Sequence, residues 1–122
     1  MAGDDRRALG AFGEGVAARF LRDQGMEILD RNWRCARGEI DIVARAGRDL
    51  VVVEVKARRG TSAGYPIEAV THRKLGRLRI LAVAWLQEHQ QWRPEGIRFD
   101  VVGVLVGTDE PSRVRHVVGV TP

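Results

Sequence analysis

Residues 38–58 read GEIDIVARAGRDLVVVEVKAR, and this stretch decides the fold. Two runs rich in Ile and Val flank a short polar segment, a pattern that predicts a β-hairpin. If Gly47 and Arg48 form a two-residue turn, with Gly supplying the positive φ at its first position, the turn fixes which residues face each other. Ile42 then faces Val53, and the neighbouring residues continue in the same register.

One face of the predicted hairpin is apolar, and the other ends in charged residues. The apolar face consists of Ile40, Ile42, Ala44, Val51, Val53 and Val55. On the charged face the register puts Asp41 opposite Glu54. Glu39 then lies opposite Lys56. Opposed carboxylates repel each other, and a divalent cation such as Mg²⁺ would convert that repulsion into ligation. The pairing depends on the turn, because a three-residue loop would place Asp41 opposite Val55.

The order of the charged residues resembles that of a known family. The chain contains Glu14, then Gly38-Glu39-Ile40-Asp41, then Glu54-Val55-Lys56, and finally Arg98-Phe99-Asp100. This order resembles the bacterial YraN family from Ala11 to about Val120. That family is related to archaeal Holliday-junction resolvases within the restriction-endonuclease-like superfamily, whose active site combines an Asp on one strand with Glu-x-Lys on the next.

The resemblance implies a metal-dependent nuclease site. It implies that Asp41, Glu54 and Glu14 hold Mg²⁺ or Mn²⁺, and that Lys56 acts with them in catalysis. It also implies a restriction-endonuclease-like core and hydrolysis of DNA phosphodiester bonds, with branched or flapped DNA among the candidate substrates. Without the resemblance, Glu14 would be assigned to a solvated flank of its helix.

Three further charged residues each have two interpretations. Glu39 either neutralises Lys56 or helps to hold a second metal ion. Lys74 falls near the apolar stripe of a predicted helix, so it either pairs with the charged end of the hairpin or extends to solvent. Asp100 lies inside an apolar strand, and pairing with a nearby Arg is favoured there over metal ligation.

Six arginines are candidates for contacts with nucleic acid, and the alternative is that they are solvated surface residues. They are Arg34, Arg37, Arg58, Arg59, Arg73 and Arg77. The net charge of +4 favours an acidic partner such as DNA. Trp33 is expected to pack in the core rather than stack on a base. Only Lys56 and Lys74 among the 20 basic residues are lysines, and an ammonium differs chemically from a guanidinium.

Length and composition predict one cytoplasmic domain over residues 1–122. The chain is 44% hydrophobic and 30% charged, which is typical of a globular protein. The longest apolar run, Ile80 to Leu86, is too short to span a bilayer, and the N-terminus lacks an apolar secretory segment. Cys35 is the only cysteine and is expected to be partly buried, so an intrachain disulfide is excluded.

Apolar periodicity predicts an α/β fold with a central mixed sheet of about five strands flanked by helices. The expected elements are a helix from Asp4 or Asp5 to Asp23, a strand at 26–33, the hairpin, a helix from Pro66 to about Gln91, and strands at 97–106 and 114–120. The first helix is expected to bury Leu9, Phe12, Val16 and Phe20. A basic loop is expected from Arg58 to Gly64.

The sequence leaves three functions open. The first is a Mg²⁺-dependent endonuclease acting on DNA, and the second is a nucleic-acid-binding module that does not cleave. The third is a protein-interaction domain in which Glu39, Asp41, Glu54 and Lys56 form a structural charge network. A homodimer is a further candidate, because the related resolvases act as dimers on junctions with two-fold symmetry.

Overall fold

The computed structural model describes residues 2–60 and 70–121, which form a five-stranded mixed sheet with two helices. The elements are α1 (Ala2–Asp23), β1 (Glu27–Cys35), β2 (Gly38–Ala46), β3 (Asp49–Arg59), α2 (His72–Gln87), β4 (Gly96–Val106) and β5 (Arg113–Val117). The strand order is β1-β2-β3-β4-β5, with β3 and β4 parallel and the other neighbours antiparallel. The predicted α/β class and mixed sheet are confirmed.

The hairpin has the predicted register along its apolar part. Ala46 pairs with Asp49, so the connection is a two-residue turn, and Gly47 has a φ of 61°. Pairing continues from there to Ile42 opposite Val53. Glycine at the first turn position lets the backbone adopt a positive φ without a steric penalty.

Followed from the turn, the regular β2–β3 ladder ends at Ile42 and does not include Asp41. The prediction that Asp41 and Glu54 form a regular cross-strand pair is therefore wrong. The reason is that the Asp41 carboxylate, rather than a backbone carbonyl, accepts the Val55 N–H. The side-chain alternation is lost at the same point. Ile40 therefore packs on the α2 side of the sheet, whereas Ile42 packs on the α1 side, and the predicted apolar face is wrong at Ile40.

Helix α1 meets the sheet through small side chains. Ala17, Ala18 and Leu21 are completely buried against β2, β3 and β4, whereas Phe12 is 54% exposed. The predicted burial of Phe12 is therefore wrong. A Cβ atom at Gly13 would lie 2.5 Å from the Cβ of Ala57 on β3, which shows how closely the helix approaches the strand.

Helix α2 begins at His72, and Thr71 caps it. Thr71 has extended backbone angles, and its side chain accepts a hydrogen bond from the N–H of Lys74. Ser, Thr, Asp and Asn are favoured at this position because they satisfy a free N–H of the first turn. The predicted helix start at Pro66 lies outside the described residues. The helix ends at Gln87 rather than Gln91.

The α2 side of the sheet holds the second core. Helix α2 buries Leu75, Leu78, Leu81, Ala82 and Trp85 against β2, β3 and β4. Trp33 and Cys35 are partly buried against this cluster, as expected. Neither described helix is both long and apolar enough to cross a membrane.

Two strand ends differ from the prediction. Arg58 and Arg59 belong to β3 and pair with Leu105 and Val106 of β4, so the predicted loop starting at Arg58 is wrong for these two residues. Eleven paired positions hold β3 beside β4, and this pairing carries the strand through both arginines. The remainder of that predicted loop, from residue 61, lies outside the described residues. Strand β5 ends at Val117, three residues earlier than expected.

Asp100 has the structural role that the sequence favoured. Its side chain is completely buried, and it accepts two hydrogen bonds from Arg98 at 3.0 Å each. His116 on β5 lies 2.7 Å away through Nε2, and the N–H of Gly119 donates from 2.9 Å. These contacts join β4 to β5 and the segment that follows it, because a buried carboxylate is stable only when it is paired and hydrogen-bonded.

Candidate metal and nucleic-acid site

Asp41 marks the centre of the site, at the point where β2 and β3 stop pairing. Its Oδ2 accepts a hydrogen bond from the Val55 N–H at 2.8 Å. Burial raises the pKa of Asp41, and the negative charges of Glu54 and Glu39 raise it further. The Val55 hydrogen bond and the positive charge of Lys56 oppose that rise. The charged form of Asp41 is therefore disfavoured, first by burial and then by the neighbouring carboxylates.

Glu54 lies on β3 between two ammonium groups. Its Oε1 is 2.8 Å from the Nζ of Lys74 on α2 and 3.9 Å from the Nζ of Lys56. The pairing with Lys74 is short and partly buried, so it belongs to the stronger class of charge-assisted hydrogen bonds. Of the two interpretations that the sequence left open for Lys74, the structure shows the pairing with the charged end of the hairpin.

Glu14 approaches the same carboxylates from α1. Burial raises the pKa of Glu14, and the Asp41 charge is the next largest cause. The positive charge of Arg31 lowers it, Glu39 raises it, and a hydrogen bond with the Asn32 side chain lowers it. The Oε1 atom of Glu14 is buried and has no hydrogen-bond partner in the described part of the chain. A buried carboxylate oxygen without a partner among the described residues, on a side chain that interacts with the charges of Asp41 and Glu39, fits a site for a cation.

Glu39 pairs with Arg34 and not with Lys56. The Arg34 Nε lies 3.5 Å from the Glu39 Oε2. The predicted opposition of Glu39 to Lys56 is therefore wrong, because the ladder that would impose it ends at Ile42. Glu39 still contributes negative charge at Asp41 and Glu14.

A cavity of about 290 Å³ opens beside these residues, between α2 and the end of β2. It is lined by Arg37, Gly38, Glu39, Glu54, Lys74, Arg77, Leu78 and Leu81. Two of the six candidate arginines, Arg37 and Arg77, therefore share a cavity with two of the acidic residues. Arg58, Arg59 and Arg73 are exposed but do not line this cavity.

The residue types at the site fit a divalent cation, although they do not form a closed cage. Carboxylate oxygens are the ligands that Mg²⁺ prefers, and one or two of them suffice when water and phosphate complete the shell. Burial is the main cause of the raised pKa values of Asp41 and Glu14, and neighbouring carboxylate charges, which a cation would neutralise, add to it. Across residues 2–60 and 70–121, however, no group of three or more His, Cys, Asp or Glu side chains is arranged to hold a metal. Glu54 is turned towards Lys74 instead.

Comparison with known proteins identifies the family. The model of the uncharacterised protein family UPF0102 matches residues 13–104. This range covers three quarters of the chain and contains Glu14, Asp41, Glu54 and Lys56. The chain belongs to the UPF0102 family. The predicted resemblance to the YraN family, which is the same family, is confirmed.

Relatives of this UPF0102 protein are similar over nearly their full length. A UPF0102 protein of Kineococcus radiotolerans is 54% identical over 114 residues, covering 93% of each chain. One from Acidothermus cellulolyticus is 51% identical over 123 residues, with 93% of each chain covered. A third, from Streptomyces coelicolor, is 53% identical over 116 residues, covering 94% of this chain and 89% of the relative.

In this UPF0102 protein, Asn32, whose side chain hydrogen-bonds with Glu14, was not identified from the sequence as a residue of the candidate site. Asn32 lies on β1 between Arg31, which pairs with Ile42, and Trp33, which pairs with Ile40, so the register places it beside Asp41. Its φ is 52°, in the left-handed region, where Asn is among the more tolerant residues. An Asn inside a predicted strand was the available signal, because Asn is depleted in strands and usually marks an irregularity.

Proposed function

We propose that this protein is a divalent-metal-dependent endonuclease that hydrolyses DNA phosphodiester bonds. The observation that carries the proposal is that Asp41, where the β2–β3 ladder ends, interacts electrostatically with Glu54, Glu39 and Glu14, and that the Oε1 of Glu14 is buried without a described hydrogen-bond partner. Two lysines flank this acidic group, and Arg37 and Arg77 line the adjoining cavity. Acidic side chains for a cation beside basic side chains for a phosphate are the two requirements of metal-assisted phosphodiester hydrolysis.

The proposal gives the acidic residues one shared role. Asp41, Glu54 and Glu14 would hold Mg²⁺ or Mn²⁺. When bound, the metal would supply Lewis-acid polarisation of the phosphodiester and a nucleophile made from water at neutral pH. Glu39, held by Arg34, would add negative charge without direct contact. The restriction-endonuclease-like core implied by the resemblance belongs to the same proposal.

The basic residues would bind and orient the substrate. Lys56 carries a compact ammonium that is about one-third exposed, so it can reach a phosphate while staying 3.9 Å from Glu54. We assign it the role of stabilising charge that develops on phosphate oxygens. Arg37 and Arg77 would hold neighbouring phosphates, and their planar guanidinium groups suit bidentate contacts with phosphate oxygens.

One observation favours a second candidate, a nucleic-acid-binding module that does not cleave. Glu54 is already neutralised by Lys74, and Asp41 already accepts the Val55 N–H. In that case the charged residues stabilise the end of the hairpin, and the arginines alone contact nucleic acid. A cytoplasmic location and a homodimer remain predictions from the sequence.

The test is cleavage of labelled linear, flapped and four-way DNA with Mg²⁺ or Mn²⁺. We expect the wild type and an Asp23→Ala control, which removes an exposed carboxylate at the end of α1, to cut at equal rates. Asp41→Ala should abolish cleavage. Binding without cleavage by the wild type would favour the second candidate, and equal cleavage by Asp41→Ala would show that the site is wrongly assigned.

A further inference from the structure

The nearer of the two ammonium groups at Glu54 comes from α2 and not from the Glu-x-Lys strand. The Nζ of Lys74 lies 2.8 Å from the Glu54 Oε1, whereas that of Lys56 lies 3.9 Å from the same oxygen. Exposure is 31% for the Lys74 side chain and 19% for that of Glu54. The contact is therefore a direct ion pair that is partly shielded from water, where screening is weaker than at the surface.

The position of Lys74 is not explained by helix stability. It lies in the first turn of α2, three residues after the Thr71 cap, and that turn contains no acidic residue. The N-terminus of a helix carries partial positive charge, so a lysine there is unfavourable. The ion pair with Glu54 offsets this cost. Leu75, the next residue, is buried and anchors this turn of the helix against the core.

We infer that Lys74 competes with the metal ion for Glu54. This inference rests on the proposed function, because it assumes that Asp41 and Glu54 hold a divalent cation. A cation at Glu54 would meet the ammonium at close range, and the two positive charges would repel each other strongly. Metal binding would therefore require Lys74 to leave Glu54. The lysine would stabilise the metal-free site and limit the affinity for metal at the same time.

The test is titration of the full-length protein with Mn²⁺ by isothermal calorimetry. We expect Lys74→Gln to bind Mn²⁺ roughly tenfold more tightly than wild type, or better, because a unit charge a few ångströms from a cation is worth more than one power of ten at an effective dielectric constant near 20. Lys74→Arg keeps the competing charge and should bind no more tightly than wild type. Arg79→Gln removes a charge from an exposed position of the same helix and should leave the affinity unchanged.

A second measurement separates competition from a purely structural role. Without metal, Lys74→Gln should melt at a lower temperature than wild type, because only the more distant Lys56 then offsets the repulsion between the charges of Glu54 and Asp41. Tighter metal binding together with lower metal-free stability is the expected combination. If Lys74→Gln binds Mn²⁺ no more tightly than wild type, the inference is overturned.

An Asp41→Asn variant distinguishes this failure from failure of the proposed site. If Asp41→Asn abolishes Mn²⁺ binding but Lys74→Gln has wild-type affinity, the metal site stands and only the competition is wrong. If wild type, Lys74→Gln and Asp41→Asn all give the same titration, the metal site and the competition fall together.

Discussion

The carboxylate of Asp41 occupies a place that a regular hairpin would give to a backbone carbonyl. It binds the Val55 N–H, and in doing so it ends the ladder and moves Ile40 to the opposite core. The structural and proposed functional roles of this residue are therefore separable, because an uncharged side chain can also accept that hydrogen bond. What an uncharged side chain loses is the charge that repels Glu54 and Glu39.

Asp41→Asn should make the metal-free protein more stable at neutral pH. Because the native pKa of Asp41 lies above its ordinary value of 3.8, the native state binds more protons than the unfolded chain between the two values. Stability therefore falls as the pH rises through this window, and the penalty is fully present above it. Thermal melts of both proteins in EDTA should differ at pH 7 and converge as the pH approaches 3.8.

Metal should reverse this order of stability and make wild type more stable than Asp41→Asn. A ligand that binds only the native state stabilises it by about 2.7 kcal/mol at a hundredfold excess over Kd. Wild type should gain this increment with Mg²⁺ or Mn²⁺, whereas Asp41→Asn should not. A wild type that is more stable than Asp41→Asn at pH 7 in EDTA would contradict the proposed repulsion.

Lys56→Arg should bind DNA nearly as well as wild type but cleave it about 10²- to 10³-fold more slowly. The positive charge is retained, whereas the loss of one well-placed donor to developing charge typically costs that much in rate. The reverse exchange at an exposed site, Arg79→Lys, is the matched control and should change neither property. The measurements are single-turnover cleavage rates and binding isotherms. If Lys56→Arg cleaves DNA at the wild-type rate, this lysine has no part in the mechanism.

At the scale of elements, the position of Glu14 depends on the contact between α1 and β3. Gly13 precedes it and faces Ala57 so closely that an added Cβ would lie 2.5 Å from the Ala57 Cβ. Small residues on α1 therefore bring the helix close enough for Glu14 to reach the carboxylates of the hairpin. A larger side chain at this position would move the helix and the glutamate together.

Gly13→Ala should destabilise the protein by about 1–3 kcal/mol, the usual range for overpacking. Gly10 is a matched control, because an alanine there meets nothing within 4 Å. Gly10→Ala should stabilise by about 0.5–1 kcal/mol, since glycine is unfavourable inside a helix. Urea unfolding gives both values. Equal stabilisation by the two substitutions would contradict the close contact between α1 and β3.

Sequence patterns were sufficient to predict a turn that local residues determine and a strand that is apolar along its length. The turn at Gly47 fixed the register from Ile42 to Val53, and the apolar run of β4 was recognised almost to the residue. Hydrophobicity alone could not identify the buried face of α1. The helix lies so close to the sheet that small residues, rather than Phe12, fit between them. Hydrophobicity also gave no sign that Thr71 would cap α2.

The residues of the candidate site could be named from the sequence, but their contacts could not. The charge of Glu54 acts on Asp41 and that of Asp41 acts on Glu14, while their joint role in a metal site stays a prediction. The partner of Glu54, Lys74, comes from helix α2, whereas the partner of Glu39, Arg34, faces it across the β1–β2 ladder. The register of the β2–β3 hairpin could not supply either partner, because Lys74 lies on α2 and Arg34 lies on β1.

At the scale of the molecule, negative charge is gathered at the site while arginines surround it. The net charge is +4, and the arginines at the end of β3 stand on the same strand as Glu54 and Lys56. Because Arg58 and Arg59 are held by pairing with β4, their backbone is fixed relative to the site. In the proposed function, a fixed basic strand end would hold a DNA backbone in one register beside the proposed metal ligands.

Replacing Arg58 and Arg59 together by Gln should weaken DNA binding and flatten its salt dependence. Each neutralised phosphate contributes about 0.9 to the slope of log affinity against log salt on duplex DNA, so the slope should fall by up to about 2. The double variant Arg19→Gln, Arg22→Gln removes the same charge from exposed positions near the end of α1 and should leave the slope unchanged. Binding isotherms at several salt concentrations, in EDTA, give the slopes. Because neither arginine lines the cavity beside Glu54, Mn²⁺ affinity should stay at the wild-type value. Equal slopes for the two double variants would show that DNA does not follow the end of β3.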